Sequence, residues 1–297
     1  MSMYPAMRMR ALAWALGVAA IGTQISYPLT AGAARDAVSI AVVALLGAAC
    51  AVHAAGVRGL RWAAGMLTVT AGGGLLVEML GTASGLPFGS YSYASGRLGP
   101  ALGTVPLIIG LAWTAGAYPA WCAADRVARG RVRGRRGAQL MLATAGLVGW
   151  DLYLDPQMVA DGQWSWTGRF PSLPGLPQVP VSNYLGWLLI AVLMMAALDS
   201  LGRYAPAARV RGHGAADALP LTLYLWTWLG SGLAHAVFLG LTASAVYGFV
   251  AMGVLGTGVL ASLGSSGSGR HTARRAAAAS SGKRPAQPGT MGGCKLR

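Results

Sequence analysis

The chain reads as an all-α polytopic transmembrane helix bundle of about eight helices, with the N-terminus and the C-terminus both cytoplasmic. Three observations lead there. Of its 297 residues, 55% are hydrophobic and only 10% charged, whereas a soluble domain carries charge on about a quarter of its positions. The apolar residues run in long blocks and do not alternate or follow a one-faced helical period, so most helices are apolar all round. The basic residues gather in alternate loops, the pattern that fixes membrane topology.

The apolar stretches fall near residues 11–30, 37–56, 62–80, 100–121, 138–154, 183–202, 218–239 and 242–263. Each is long enough to cross a hydrocarbon core of about 30 Å. The first follows Arg8 and Arg10 and precedes Ala31-Gly32-Ala33, which has the look of a signal-peptide cleavage site. More apolar segments follow at once, so it is read as a retained helix. The last two stretches meet at Gly240 and would form one tilted helix if the chain crossed seven times. With eight crossings, 20 of the 23 Lys and Arg fall on the cytoplasmic side and only Arg35, Arg97 and Arg169 outside. The positive-inside rule therefore favours eight.

Residues 1–263 are read as a transmembrane helical domain and 264–297 as a disordered basic cytoplasmic tail, rich in Ser, Gly, Ala and Arg without an apolar face. The formal charge of +15 sits in short loops and the tail, which implies contact with anionic lipids at the cytoplasmic loops and no nucleic acid partner. Forty-four glycines suit close helix approach, as in Gly253-Val254-Leu255-Gly256-Thr257-Gly258, or reflect compositional bias alone. Cys50, Cys122 and Cys294 lack the spacing of a zinc site or a disulfide framework.

The eight acids carry most of the chemical signal. Glu78, the only glutamate, closes the third stretch. Asp151 and Asp155 lie one helical turn apart and share a face at the end of the fifth. Asn183, His235, Tyr91 and Tyr93 reach the same outer level, beside two loops (81–99 and 155–182) too apolar to float in water. A carboxyl in a membrane helix tends to face an interior cavity and is a functional candidate by default. The plainer reading is that these acids cap helix ends or pair with Arg97 and Arg169. Asp125, Asp199 and Asp217 stand beside arginines and read as local ion pairs.

Several chemistries are excluded. The only lysines, Lys283 and Lys295, lie in the tail, so no intramembrane lysine can carry retinal. The four histidines form no haem or H-x-x-x-H metal pair. There is no Walker A or dinucleotide fingerprint, and no Asp-rich run to hold magnesium and a diphosphate. Acid–base chemistry without a cofactor or metal, transport, and a structural role remain.

Three segments then carry a resemblance. Gly85-Leu86-Pro87-Phe88-Gly89-Ser90-Tyr91-Ser92-Tyr93, with Leu98-Gly99-Pro100 and Val105-Pro106-Leu107 after it, is the first. The others are Trp150-Asp151-Leu152-Tyr153-Leu154-Asp155-Pro156-Gln157-Met158 and Pro180-Val181-Ser182-Asn183-Tyr184-Leu185-Gly186-Trp187. Together they resemble the carotenoid biosynthesis membrane proteins that include the carotenoid 1,2-hydratases of the γ-carotene and bacterioruberin pathways. The resemblance implies hydration of the terminal 1,2-double bond of an acyclic carotenoid to a tertiary alcohol, a substrate drawn from the lipid phase, a place in the cell membrane and association with other carotenoid enzymes.

Adding water to such an alkene needs a proton donor, a tertiary cation and a group that takes the water's proton. Glu78 or Asp151 is the expected donor and Asp155 the water-activating partner. Trp150, Tyr153 and Trp187 are the expected aromatic wall, with Tyr91, Tyr93, Asn183 and His235 as further substrate contacts. The competing expectations are a proton-coupled lipid or pigment transporter using the same acids and a non-catalytic assembly factor for membrane carotenoid enzymes.

Overall fold

The computed structural model of the chain describes residues 3–129, 134–204 and 217–281, with side chains over 7–129, 134–203 and 217–264. Eight helical rods form within them. They are α1 (Met3–Ser26), α2 (Gly32–Arg58), a rod made of α3 (Leu60–Leu67) and α4 (Gly73–Ser84), α5 (Ile108–Ala128), α6 (Arg135–Ala160), α7 (Val181–Tyr204), α8 (Ala218–Leu233) and α9 (Thr242–Ser281). A π-turn, Thr68–Gly72, joins α3 to α4, and another, Ala234–Phe238, extends α8.

Five rods are long and apolar enough to cross a membrane: Met7–Leu29, Gly32–Arg58, Leu60–Ser84, Val181–Arg203 and Thr242–Gly264. The other three have less need of apolar surface. In α5, fifteen of 21 residues are buried, and it packs on α2, α4, α6, α7 and α8 as the central helix. Protein contacts it instead of lipid, so Ala, Trp and Tyr suffice where Leu and Ile would otherwise be needed. Helix α6 carries Asp151 and Asp155, and α8 is regular for only 16 residues before its π-turn.

Two expected boundaries shift. The fourth stretch, expected from residue 100, begins as an antiparallel pair of strands, Ala101–Leu102 with Val105–Pro106, and its helix starts only at Ile108. Pro100, Gly103 and Pro106 account for that, because proline lacks the amide donor and Gly103 takes a φ of +62°. The fifth runs on through Pro156 to Ala160. The question of seven or eight rods is decided at Gly240, whose φ of +68° ends the helix. Beyond it α9 turns back along α8: Tyr224 donates to Met252 O, Trp228 to Phe249 O, and His235 meets Ser244. The two are antiparallel neighbours.

The loops over 81–99 and 155–182 pair with each other. Strands β1 (Tyr91–Tyr93) and β4 (Trp164–Trp166) run antiparallel, with Tyr91 opposite Trp166 and Tyr93 opposite Trp164. Trp166 Nε1 donates to Phe88 O at 2.9 Å, and Ala94 N to Gln163 O at 2.8 Å. Between β4 and α7 lies a third strand pair, Ser172–Leu173 with Leu176–Pro180. The aromatic side chains of this cover turn inward, with Phe88, Tyr91 and Trp164 all buried.

By contact the chain divides into two units, Met1–Val259 and Leu260–Arg297. The basic tail expected over 264–297 falls on residues whose side chains, and beyond Ser281 whose backbone, lie outside the described residues. Arg131, Arg133, Arg209 and Arg211 of the expected cytoplasmic loops lie outside them too.

Candidate functional site

The expected site residues converge at one end of the bundle, beneath the β1–β4 cover. Glu78 stands midway along α4, six residues past the π-turn. Its Oε2 accepts from Tyr91 Oη at 2.5 Å and Tyr93 Oη at 2.7 Å, and its Oε1 from Trp113 Nε1 at 3.0 Å. One carboxyl thus ties α4 to β1 and to the central helix. Burial, with the Glu78 carboxyl alongside, raises the Tyr91 and Tyr93 phenols above their ordinary range, so both stay protonated donors.

Asp151 and Asp155 share a face of α6, as their spacing requires. Asn183 Nδ2 donates to both, at 3.2 Å to Asp151 Oδ2 and more closely to Asp155 Oδ2. Trp164 Nε1 adds a bond to Asp155 Oδ1 at 3.1 Å. Asp151 Oδ1 is buried without a hydrogen-bond partner. Among the described residues no cation pairs with Glu78, Asp151 or Asp155. Arg97, the partner considered from sequence, goes instead to Asp36 at 2.6 Å, and Asp161 takes Arg35 at 2.6 Å with Tyr27.

A cavity of about 870 Å³ lies against these groups. Glu78, Asp155, Asn183, Tyr91 and Tyr93 line it, and so do Trp150, Tyr153 and Trp187. Its wall is aromatic: Trp113 stacks on Trp187 at 4.0 Å and 11°, and Trp150 meets Trp187 edge-on at 6.2 Å. Such ring pairs add roughly 0.5–1.5 kcal/mol beyond their burial and fix the ring planes.

Glycines make room for this wall. A Cβ at Gly74 would lie 2.5 Å from the Trp113 ring, at Gly248 2.6 Å from Tyr153 and at Gly186 2.7 Å from Phe88, while one at Gly116 would strike Trp150. In the glycine run of α9, Gly253 and Gly256 face the ring of Trp228, which lies off the cavity, and Gly258 faces Val127. Some of the glycines read from sequence as helix-contact residues thus act as sockets for aromatic rings, while others, such as Gly17, Gly47 and Gly65, admit leucines.

Two expected residues stand apart from the cavity. Asp151 is fully buried behind Asp155 and does not line it. His235, in the second π-turn, bonds Ser244 Oγ at 2.8 Å and Gln157 at 3.0 Å and packs edge-on against Tyr153. It supports the wall from behind, and Gln157 is the member of that chain which reaches the cavity.

Trp113 and Trp164, both donors to the acids, are site residues that sequence reasoning missed. Trp164 had a signal. Tyr91-Ser92-Tyr93 and Trp164-Ser165-Trp166 repeat one aromatic–Ser–aromatic pattern, and such alternation is what two paired strands show when one face is buried. Trp113, 35 residues from Glu78 on a helix buried all round, had none.

The fold and site therefore define a helical membrane-protein bundle with an apolar, aromatic-walled cavity and carboxyl groups at one end. The chain belongs to the carotenoid biosynthesis protein family, whose profile matches residues 39–255. That span holds Glu78, Asp151, Asp155, Asn183 and the β1–β4 cover. No curated protein and no solved structure matches the chain significantly.

Proposed function

We propose that the protein is a carotenoid hydratase of the cell membrane, adding water across the terminal 1,2-double bond of an acyclic carotenoid to give a tertiary alcohol. The observation that carries the reading is that Glu78 and Asp155 both line one apolar cavity, held by uncharged donors and walled by tryptophans. An alkene end group needs apolar walls to bind, a proton source, a proton acceptor and π-faces beside the cation.

The hydrogen bonding favours roles different from those expected from sequence. Asp151 and Asp155 share one Asn183 amide, and one Asp151 oxygen has no donor. Two adjacent carboxyls in an apolar site are stable when they hold one proton between them. Asp155, the member of the pair on the cavity, passes that proton to the terminal alkene carbon that carries one hydrogen. The electron pair of the double bond forms the new C–H bond and leaves a tertiary cation beside Trp113 and Trp187. Water adds to the cation, and its surplus proton goes to Glu78, whose oxygens already act as acceptors toward three donors. One proton is lost at the aspartate pair and one gained at Glu78, so only its return between them is needed before the next turnover.

The basic end is then cytoplasmic and contacts anionic lipid, and the acid-bearing end faces outward, in reach of other carotenoid enzymes. Expression in a host that makes an acyclic carotenoid, followed by pigment chromatography and mass analysis, tests the reading. The expected result is a product heavier by one water per hydrated end. Unchanged pigment beside folded, membrane-inserted protein refutes it, and pigment moved but chemically unaltered marks a transporter.

A further inference from the structure

The residues that line the cavity reach the protein surface in one region. Among the described residues lining the cavity, those that are exposed at the protein surface fall on two neighbouring elements. They are Ile25 and Leu29, at the end of α1 and just beyond, and Leu229, Leu233 and Phe238, on α8 and its π-turn. All five are apolar, and they are 46–78% exposed. Helices α1 and α8 run side by side in the same direction. Trp226 Nε1 donates to Gln24 Oε1 across them at 2.9 Å, and Gly17 faces Leu219 further down. Beyond the Gln24–Trp226 bond no described hydrogen bond joins them. That bond forms the sill of an opening with an apolar rim on the side of the bundle.

The acids are buried within the bundle. Glu78 is on α4, Asp155 on α6 and Asn183 on α7; α8 packs directly on α6, and α5 packs on both α8 and α4. With helix axes 8–10 Å apart, the path from mouth to acids is one to two spacings, roughly 8–20 Å. A linear polyene about as long as the hydrocarbon core, roughly 30 Å, cannot lie wholly inside. Resting on the reading above, we propose that α1 and α8 frame a lateral portal through which a linear polyene passes end-on from the lipid. One terminus reaches the acids while the remaining third or more of the chain stays in the bilayer. A substrate with two reactive ends is therefore hydrated at one end, released, and bound again by the other.

The test uses the full chain in liposomes with a symmetric acyclic carotenoid. Leu229→Cys is labelled with a bulky methanethiosulfonate that reductant removes. The controls are the unsubstituted chain and Leu193→Cys, a residue 57% exposed on α7 and away from the cavity. Labelling and unlabelling the same folded protein separates blockage from misfolding. Pigment bound per protein and hydrated product are both read.

Labelled Leu229→Cys is expected to bind pigment about tenfold more slowly and to recover with reductant, while both controls stay unchanged. The singly hydrated product should appear first and exchange with an added isotope-labelled pool before the doubly hydrated one forms. Unaltered binding after labelling overturns the portal whatever the product. Doubly hydrated product formed without exchange overturns the one-end geometry. Pigment that binds, is blocked by the label and is never hydrated upholds the portal and refutes the hydratase.

Discussion

The two ends of the bundle hold carboxyl groups in opposite company. At one end Asp125 meets Arg129 at 2.5 Å and Arg135 at 2.8 Å, Asp217 meets Arg129 at 3.0 Å and Arg58 at 3.5 Å, and Asp199 meets Arg203 at 3.3 Å. The Arg58 guanidinium also lies over the rings of Trp62 and Trp121. At the other end the rim is paired in the same way, Asp36 with Arg97 and Asp161 with Arg35. Inside that rim Glu78, Asp151 and Asp155 receive only phenol, indole and amide donors. A neighbouring arginine favours the charged form of a carboxyl group, and removing that charge from a buried pair strands the cation. A carboxyl among neutral donors gains or loses a proton with no such loss. The difference separates acids that fasten helices from acids able to do chemistry.

The largest expected effects break this contrast directly. Asp155→Asn and Glu78→Gln keep shape and most hydrogen bonds but remove the exchangeable proton, so hydrated product should fall by at least about 100-fold, the scale of general acid–base catalysis. Protein amount in the membrane should hold. Product near the unsubstituted level in either variant, read by pigment chromatography, would assign that acid a structural role. Asp217→Asn should do the reverse. It leaves Arg58, which is nearly buried, without its carboxylate, at a cost of about 3 kcal/mol seen as a lower melting temperature in detergent. Product per folded molecule should not change.

Much of this contrast was legible in the sequence, for a physical reason. Acids are so rare in apolar helices that position alone nearly sorts them: Asp125 and Asp199 stand one turn from the arginines they pair with, and Glu78, Asp151 and Asp155 have none so near, whereas Asp217, read as a local pair, instead takes Arg58 and Arg129 from distant helices. The one-turn spacing of Asp151 and Asp155 placed them on one face, and Gly240 was visible as a hinge. What stayed hidden depends on contacts between distant segments. Asp36 beside Arg35 gave no hint that its partner is Arg97, since that pairing exists only once the β1–β4 cover folds over α2. Asp151 and Asp155 look equivalent in sequence, yet only Asp155 meets the cavity, because the wall is set by how α6 rotates against α7. The α1–α8 mouth is likewise a property of two packed helices, not of either alone.

Smaller changes sharpen the comparison. Trp164→Phe keeps a ring in the β1–β4 cover, which Tyr93 meets edge-on at 5.5 Å, but deletes the indole N–H that Asp155 Oδ1 accepts. A lost hydrogen bond to a buried polar group costs about 1–1.5 kcal/mol, so turnover should drop roughly five- to tenfold with little change in pigment bound. A larger loss, with pigment binding also gone, would mean that the ring matters more than its donor.

Arg203→Ala marks the lower bound. Its pair with Asp199 spans one helical turn of α7, and its side chains are 49% and 32% exposed. Pairs of this kind contribute at most about 0.5 kcal/mol because water and salt already satisfy both charges. The melting temperature should therefore barely move, and raising the salt concentration should erase what difference there is. Asp217→Asn should keep most of its effect in the same salt, because ions screen a buried pair far less. If the two variants respond to salt alike, the Arg58–Asp217–Arg129 cluster is as wet as the surface pair, and its arginines are then set by topology, not by packing.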